Sequence, residues 1–378
     1  MKKNFAYLRK EASLLSDSVQ NIEPYSPTSS RDKIETSKSN LEPLKLDWNE
    51  STIAPSPKVK EALKKALLEN DNMLNWYPEL FSESLRSKLS EYTGRKHNEI
   101  LVTNGSDDAL ELICKTFLDP EDQVVTQYPT YTHFFIYVES RGAILKKATP
   151  ENVFENNISC IIEKITPATK LIYITNPNNP TGVLLTEREI ETICTFATNS
   201  IVIVDEAYVE FAGMSVQNLI DTHHNLIITR TFSKAWGLAG LRIGYILSSA
   251  GIISSLSRIF NPKSVNIIAQ TAALAALDDV EYMKRYVKDV QTSKRMLKSF
   301  FDNHDIHAVN GRGNYIMVQH PELSRLVEEM EKENIFVRDR SSFSMLPNYF
   351  RINLGTVSQT EDLIKRLESV LRRLENHN

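Results

Sequence analysis

Lys234 closes the run Arg230-Thr231-Phe232-Ser233-Lys234, which grows out of the apolar stretch Leu226-Ile227-Ile228-Thr229. A lysine held in a loop at a strand end can lose its charge by desolvation and become a nucleophilic amine. Alone, such a lysine is far more often a solvated charge, so its company decides. Asp205-Glu206-Ala207-Tyr208 follows a second apolar run, Ile201-Val202-Ile203-Val204. A carboxylate there is costly to bury without a cation, a metal or a protonated ring nitrogen beside it. Thr175-Asn176-Pro177-Asn178-Asn179-Pro180-Thr181-Gly182 follows a third run, Leu171-Ile172-Tyr173-Ile174. Two prolines and three asparagines force a rigid polar turn whose amides are either structural or hold a neutral acceptor on a ligand. Asn104-Gly105-Ser106-Asp107 follows Ile100-Leu101-Val102-Thr103 and leads into the helical pattern Ala109-Leu110-Glu111-Leu112. A glycine turn at a helix N-terminus is a natural phosphate site. The simpler alternative is a plain turn with Asp107 as the cap.

Rival chemistries lack their motifs. There is no GxGxxG after a strand, no GxxxxGK[ST] loop, no HExxH and no GxSxG elbow. The three cysteines, Cys114, Cys160 and Cys194, are widely spaced and form no CxxC, which argues against a zinc site or a disulfide framework and fits a reducing cytoplasm. No metal is expected. Net charge is −4 with both signs interspersed, so nothing points to nucleic acid or a membrane surface. Arg9, Lys10 and Glu11 interrupt any signal-like apolar run, and no stretch approaches the roughly 20 apolar residues of a membrane span.

The elements that must position these loops follow from the pattern. The short β-branched runs read as strands buried on both faces. Helical segments such as Thr186 to Thr198 alternate with them, which predicts an α/β domain with a mainly parallel sheet over residues 46–255. From about 256 to 378 the character changes to a smaller α+β domain. Helices are expected over Ile267 to Leu277, Val280 to Asn303 and about Thr360 to Leu374, with strands at Tyr315 to Val318 and Tyr349 to Asn353. Residues 1–45 read as a short helix and then an extended arm. A length of 378 residues is comfortable for two domains, and 41% hydrophobic residues is an ordinary globular composition.

Taken together, the segments NGSDDALEL, PTYTHF, NPNNPTG, VDEAYVEF, TRTFSKAWGLAGLRIGY and VRDRSSF…FRINLGT resemble the histidinol-phosphate aminotransferase-like family of fold-type-I enzymes, which use pyridoxal 5′-phosphate (PLP). The resemblance runs from about Leu46 to Thr356. It implies a large domain with a mainly parallel seven-stranded sheet flanked by helices, plus a smaller α+β domain.

The resemblance also implies roles. Lys234 corresponds to the lysine that carries PLP as a Schiff base and later serves as the base at Cα. Asp205 corresponds to the partner of the pyridinium nitrogen. Tyr208 and Asn179 correspond to the residues that bond the ring's phenolate oxygen, and Tyr131 to the aromatic on the ring face. Gly105, Ser106, Asp107, Ser233 and Arg242 correspond to the phosphate cup, with Asp107 contributing its N–H while its side chain caps the helix. Tyr77 corresponds to a tyrosine that reaches the neighbouring subunit's phosphate, which implies a homodimer with a shared active site. Arg351 corresponds to the carboxylate-binding arginine, and Arg338 to the one reserved for a substrate phosphate. Tyr25 and Asn49 correspond to arm residues that close over the substrate.

Three stretches depart from the family pattern: Trp48-Asn49-Glu50-Ser51-Thr52, Tyr25-Ser26-Pro27-Thr28 and Asn261-Pro262-Lys263-Ser264-Val265-Asn266. All are near the substrate side in the family. The expected activity is transamination between a small phosphorylated amino compound, histidinol-phosphate-like or a shorter amino-alcohol phosphate, and 2-oxoglutarate/glutamate. Decarboxylation of a phosphorylated amino acid, such as phosphothreonine or phosphoserine, would use the same cofactor residues. A non-enzymatic PLP-binding regulator is the third reading, and the chain has no spare domain for it.

Overall fold

The computed structural model describes residues 14–25, 30–36 and 39–375. Residues 1–13, where the arm's opening helix is expected, lie outside this range, as do Ser26, Pro27 and Thr28 of the arm. Arg31–Thr36 is helical, and the chain then enters the fold through β1 (Leu44–Lys45).

Seven strands make the principal sheet: β2 (Ile100–Thr103), β3 (Gln123–Gln127), β4 (Ile144–Ala148), β5 (Thr169–Thr175), β6 (Ile201–Asp205), β7 (Leu226–Thr231) and β8 (Gly244–Ser248). Their spatial order is β2-β8-β7-β6-β5-β3-β4. The pairings from β7 through β6, β5 and β3 to β4 are parallel, while β8 runs antiparallel to both its neighbours. The apolar runs at 171–174, 201–204 and 226–229 are the cores of β5, β6 and β7. Their continuous hydrophobicity serves two separate cores. Leu171, Tyr173, Ile203 and Ile227 pack into one, and Ile172, Ile174, Val202, Val204 and Ile228 into the other. A sheet covered on both faces needs strands without a polar side.

Helix limits follow local chemistry. Thr186 caps Glu187–Phe196 in a reciprocal box with Glu189. Asn266 Oδ1 accepts the Ala269 N–H at 2.8 Å to start Ile267–Leu277. That helix is apolar nearly all round and buried, packing on the helices Pro57–Glu69 and Glu83–Thr93. The last helix begins at Val357, three residues before the position read from its periodicity, because Thr356 and Gln359 form a second capping pair.

The C-terminal region adds β9 (Ala308–Asn310), β10 (Tyr315–Gln319), β11 (Ile335–Phe336), β12 (Arg338–Asp339) and β13 (Tyr349–Asn353). Four of these form an antiparallel sheet in the order β12-β13-β10-β9. β11 pairs in parallel with β1 instead, so the segment leaving the arm is tied to the C-terminal layers.

One close approach joins the two parts of the chain. Gly182, at the end of the asparagine–proline turn, has φ +76°, and its carbonyl accepts the Arg312 N–H at 2.8 Å. A Cβ on Gly182 would lie 2.4 Å from Gly311 Cα, and a Cβ on Gly311 would lie 2.4 Å from Gly182 Cα. Both backbones must part to admit one. Gly182→Ala therefore combines a left-handed backbone penalty with overpacking, and Gly311→Ala carries overpacking alone. Each is expected to cost about 1–3 kcal/mol, with Gly182→Ala the larger, read as the loss of urea midpoint at constant m-value.

Candidate active site

The residues singled out for chemistry converge at the carboxyl ends of β2, β5, β6 and β7, the edge of an open α/β sheet where ligands bind. Asp205 ends β6 and is buried. Its Oδ2 accepts the Tyr173 hydroxyl at 3.0 Å and its Oδ1 the Ala207 N–H at 3.1 Å. Tyr173 stands opposite Ile203 in the β5–β6 register, which places it on the same face as Asp205, one pleat away. Among the described residues no lysine, arginine or histidine pairs with this carboxylate. Burial is the dominant influence on it and raises its pKa to about 6. The acid thus lacks a cation that the protein does not itself supply.

Lys234 sits just beyond β7, and its Nζ donates to the Trp48 carbonyl at 3.1 Å and lies 5.9 Å from the Tyr208 ring centroid. The Tyr208 hydroxyl accepts from Asn49 Nδ2 at 3.0 Å, which leaves its own hydrogen to donate. Asn49 is buried with φ +54°, fixed beneath Tyr208, and its Oδ1 has no partner among the described residues.

The three asparagines of the turn after β5 divide their labour. Asn176 bonds Leu185 through both its amide atoms. Asn178 donates to the Pro129 carbonyl and accepts from Thr130. Both are structural. Asn179 alone faces the site: its Oδ1 accepts from Arg351 Nη1 at 2.5 Å, and its Nδ2 has no partner among the described residues.

A second cluster has the composition of an anion cradle. Gly105 adopts φ +89° at the N-terminus of the helix Ser106–Phe117. A Cβ there would meet Arg242 Nη2 at 2.9 Å, so the guanidinium lies directly over the turn. The Ser233 hydroxyl accepts from Thr231 at 2.9 Å and keeps its own hydrogen. Asp107 does not cap the helix, contrary to expectation. Its Oδ1 accepts the Tyr131 hydroxyl at 2.8 Å and its Oδ2 an Arg242 N–H at 2.9 Å, while Asp108 reaches back to the Asn104 N–H at 2.8 Å. The carboxylate that would repel a phosphate is therefore spent on aiming Arg242 and Tyr131.

On the opposite side, Arg351 of β13 is buried, with Nη2 on the Asp47 carbonyl at 2.6 Å and Nε without a partner among the described residues. Arg338 is its direct cross-strand neighbour on β12. Tyr25 lies at the rim, its ring stacked on His133 at 4.3 Å and 7°. Tyr77 stands apart: it is 80% exposed, with Lys263 Nζ 4.6 Å from its ring centroid. Among the described residues no group of His, Cys, Asp or Glu is set to hold a metal ion, and no helix is long and apolar enough to cross a membrane. Tyr173 and His133, which touch site residues, and Arg340, which feels the charge of Arg351 and Arg338, were not singled out from sequence. Only Arg340 left a signal there, two residues after Arg338 in a strand pattern.

A lysine, a buried acid without a cation and an anion cradle, gathered at one edge of a mainly parallel seven-stranded sheet, define the fold-type-I PLP-dependent class. The chain belongs to the aminotransferase class I and II family, whose model matches residues 42–367. It is similar to a dihydroxyacetone phosphate transaminase of Campylobacter jejuni, 36% identical over 365 residues covering 94% of this chain and 96% of that one. It is similar also to the histidinol-phosphate aminotransferase of Methanocaldococcus jannaschii, 32% identical over 367 residues covering 94% and 97%. Among solved structures, the histidinol-phosphate aminotransferase of Sinorhizobium meliloti in complex with pyridoxal-5′-phosphate matches with a TM-score of 0.83 and 24% identity, over 96% of this chain and 98% of that one. The protein is a transaminase, and PLP is its cofactor.

The residues present fit that group. Asp205 lacks a cation where a pyridinium would bring one, and the bare Gly105 turn under Arg242 offers N–H donors to a phosphate dianion. A consequence concerns pH. An acid raised from an unfolded value near 3.9 to about 6 stabilises the fold fully below its unfolded value and loses that contribution as pH rises through its folded value. About two units correspond to about 3 kcal/mol lost between pH 4 and 6. A pyridinium held beside Asp205 would offset the loss. The stabilisation of the protein by PLP, measured as the difference in Tm with and without cofactor, should therefore grow from pH 5 to 7.5. In Asp205→Asn that growth should flatten.

Proposed function

We propose that this transaminase moves an amino group between a phosphorylated 2-amino alcohol and 2-oxoglutarate, with glutamate as the returning donor. The observation that carries this reading is the pair Arg338 and Arg351, directly opposite each other on β12 and β13. Like charges in that relation destabilise a sheet, so the arrangement suits a surface that receives anions. Histidinol phosphate and serinol phosphate share the unit such a surface would read, an amine on the carbon next to a phosphate-bearing methylene. The names of the two relatives support this class. The stack of Tyr25 on His133 occupies an aromatic face that a substrate ring would otherwise use, which favours the shorter, serinol-phosphate-like compound over one carrying imidazole. Decarboxylation of a phosphorylated amino acid is not favoured, because the named relatives are transaminases.

The residues divide the work as follows. Lys234 would hold the cofactor covalently and, as a free amine, carry the proton at the substrate carbon that bears nitrogen. Asp205 would hold the ring nitrogen, with Tyr173 fixing the carboxylate. Tyr131 would cover the ring face. The unspent donors of Tyr208 and Asn179 would meet the phenolate oxygen. Gly105, Ser106, Ser233 and Arg242 would hold the phosphate, and Asp107 would aim Arg242. When bound, PLP supplies the electron sink that lets a C–H bond beside the amine break. Arg351 would orient a carboxylate through a bidentate contact, Arg338 would take the substrate phosphate, and Tyr25 would shield the site from water.

The reading extends to assembly. Leu74, Trp76, Tyr77 and Leu80 are exposed together, which supports a homodimer in which Tyr77 of each chain reaches the other's phosphate cradle. Its three cysteines are unpaired, in keeping with a cytoplasmic location. Residues 46–255 and 256–378 would act as the large and small domains around the site, with 1–45 as the arm.

The test is a panel of amino donors read by the absorbance change of the bound cofactor. Glutamate and phosphorylated amino alcohols should convert it to the amine form, and the unphosphorylated analogues should do so poorly. Arg338→Ala should raise KM for the phosphorylated donor by about 10- to 100-fold, the worth of a charge-assisted contact, with kcat held within a few-fold. Release of CO₂ without consumption of an oxo acid would overturn the reading.

A further inference from the structure

Arg340 has no place in the roles above. It lies two residues beyond Arg338, and its N–H continues the ladder by donating to the Tyr349 carbonyl at 2.9 Å. Side chains two apart on extended chain share a face, so Arg338 and Arg340 stand on the face that Arg351 joins from β13. Asp339 between them belongs to the other face, and its Oδ1 accepts the Ser341 N–H at 2.8 Å. Arg340 Nε is sealed from solvent, and among the described residues it has no hydrogen-bond partner and no carboxylate pairs with its guanidinium. Phe343 packs beside it, its ring centroid 6.0 Å from Cζ, and Tyr128 meets Phe343 edge-on at 5.6 Å. Burial and the nearby charges of Arg351 and Arg338 all push against its protonated form, while Tyr25 and Tyr208 favour it weakly. Those neighbours place Arg340 within the field of the active site. An arginine stays charged, so this half-buried cation has no counterion among the described residues.

We propose that Arg340 is a further guanidinium of the substrate-anion site and the residue that turns it toward a phosphate monoester rather than a carboxylate. The proposal rests on the reading of Arg338 as the phosphate-binding arginine. Two guanidinia side by side call for two negative charges at one locus. A phosphate dianion brings both, with three acceptor oxygens for two planar forks, whereas the distal carboxylate of glutamate brings one.

The experiment compares PLP-loaded wild type with Arg340→Gln, Arg340→Lys and Arg338→Gln. Each is assayed in half-reactions with serinol phosphate and with glutamate, and retained cofactor absorbance reports an intact fold. In Arg340→Gln the ratio of kcat/KM for serinol phosphate to that for glutamate should fall by 10- to 100-fold. The limiting rate with glutamate should stay within a few-fold. Arg340→Lys, which keeps the charge and loses the fork, should fall between. Inorganic phosphate should inhibit the wild-type glutamate half-reaction competitively and inhibit Arg340→Gln at least tenfold more weakly. Equal losses for both donors would overturn the proposal and make Arg340 structural. An unchanged ratio in Arg340→Gln beside a collapsed ratio in Arg338→Gln would overturn it while leaving the phosphate reading intact. A wild type that neither prefers serinol phosphate nor is inhibited by phosphate would overturn both.

Discussion

A carboxylate buried at the end of β6 without a cation is the constraint around which this site is built. Asp205 cannot be charged there at little cost, and the chain gives it only hydroxyl and backbone N–H donors, none of which carries charge. A partner that brings its own positive charge satisfies the acid and is held by it. Tyr173 fixes the carboxylate from one pleat away on β5. The strand-end loops beside it then supply the rest: Asn179 after β5, Tyr208 after β6, Lys234 after β7, and the Gly105 turn after β2. In the proposed reading these loops together serve one small molecule, and a parallel sheet is what brings four strand ends to one edge.

The surroundings of that edge are stiffened by contacts that touch no ligand. Glu206, next to Asp205, is buried and paired with Arg230 at 2.9 Å. Arg230 also bonds Ser215 at 2.6 Å and Gln217 at 2.9 Å. Breaking such a buried pair is strongly destabilising because it leaves a lone charge inside. It links the end of β6 to the end of β7, and so fixes Asp205 relative to Lys234. Asn176 and Asn178 do comparable work in the next loop, spending their amides on backbone and hydroxyl groups so that Asn179 is held toward Arg351.

Much of this was legible in the residues. Short continuous β-branched runs are the expected form of strands covered on both faces, so β5, β6 and β7 were legible. The stretch 267–277 was legible as a helix, and its burial emerged from packing. The role of Asp205 was readable as a question, since an acid after such a run needs a partner. What stayed hidden depended on distance along the chain. Asp107 was expected to cap its helix because a cap is local, whereas its true partner, Arg242, is 135 residues away. Tyr173 looked like core because its bond to Asp205 depends on strand register. Arg340 was visible as an alternation with Arg338, but its lack of a counterion is a fact of packing. Tyr77 is exposed and stands apart from these residues, and the role proposed for it needs a second chain.

On the proposed reading the cofactor is bonded to Lys234. The most direct test of that bond is reduction of the purified protein with borohydride followed by peptide mass mapping. The expected result is loss of the visible absorbance, a reduced pyridoxyl phosphate on the peptide containing Lys234, and no reducible chromophore in Lys234→Ala. Attachment at another lysine, or a reducible chromophore that persists in Lys234→Ala, would contradict it.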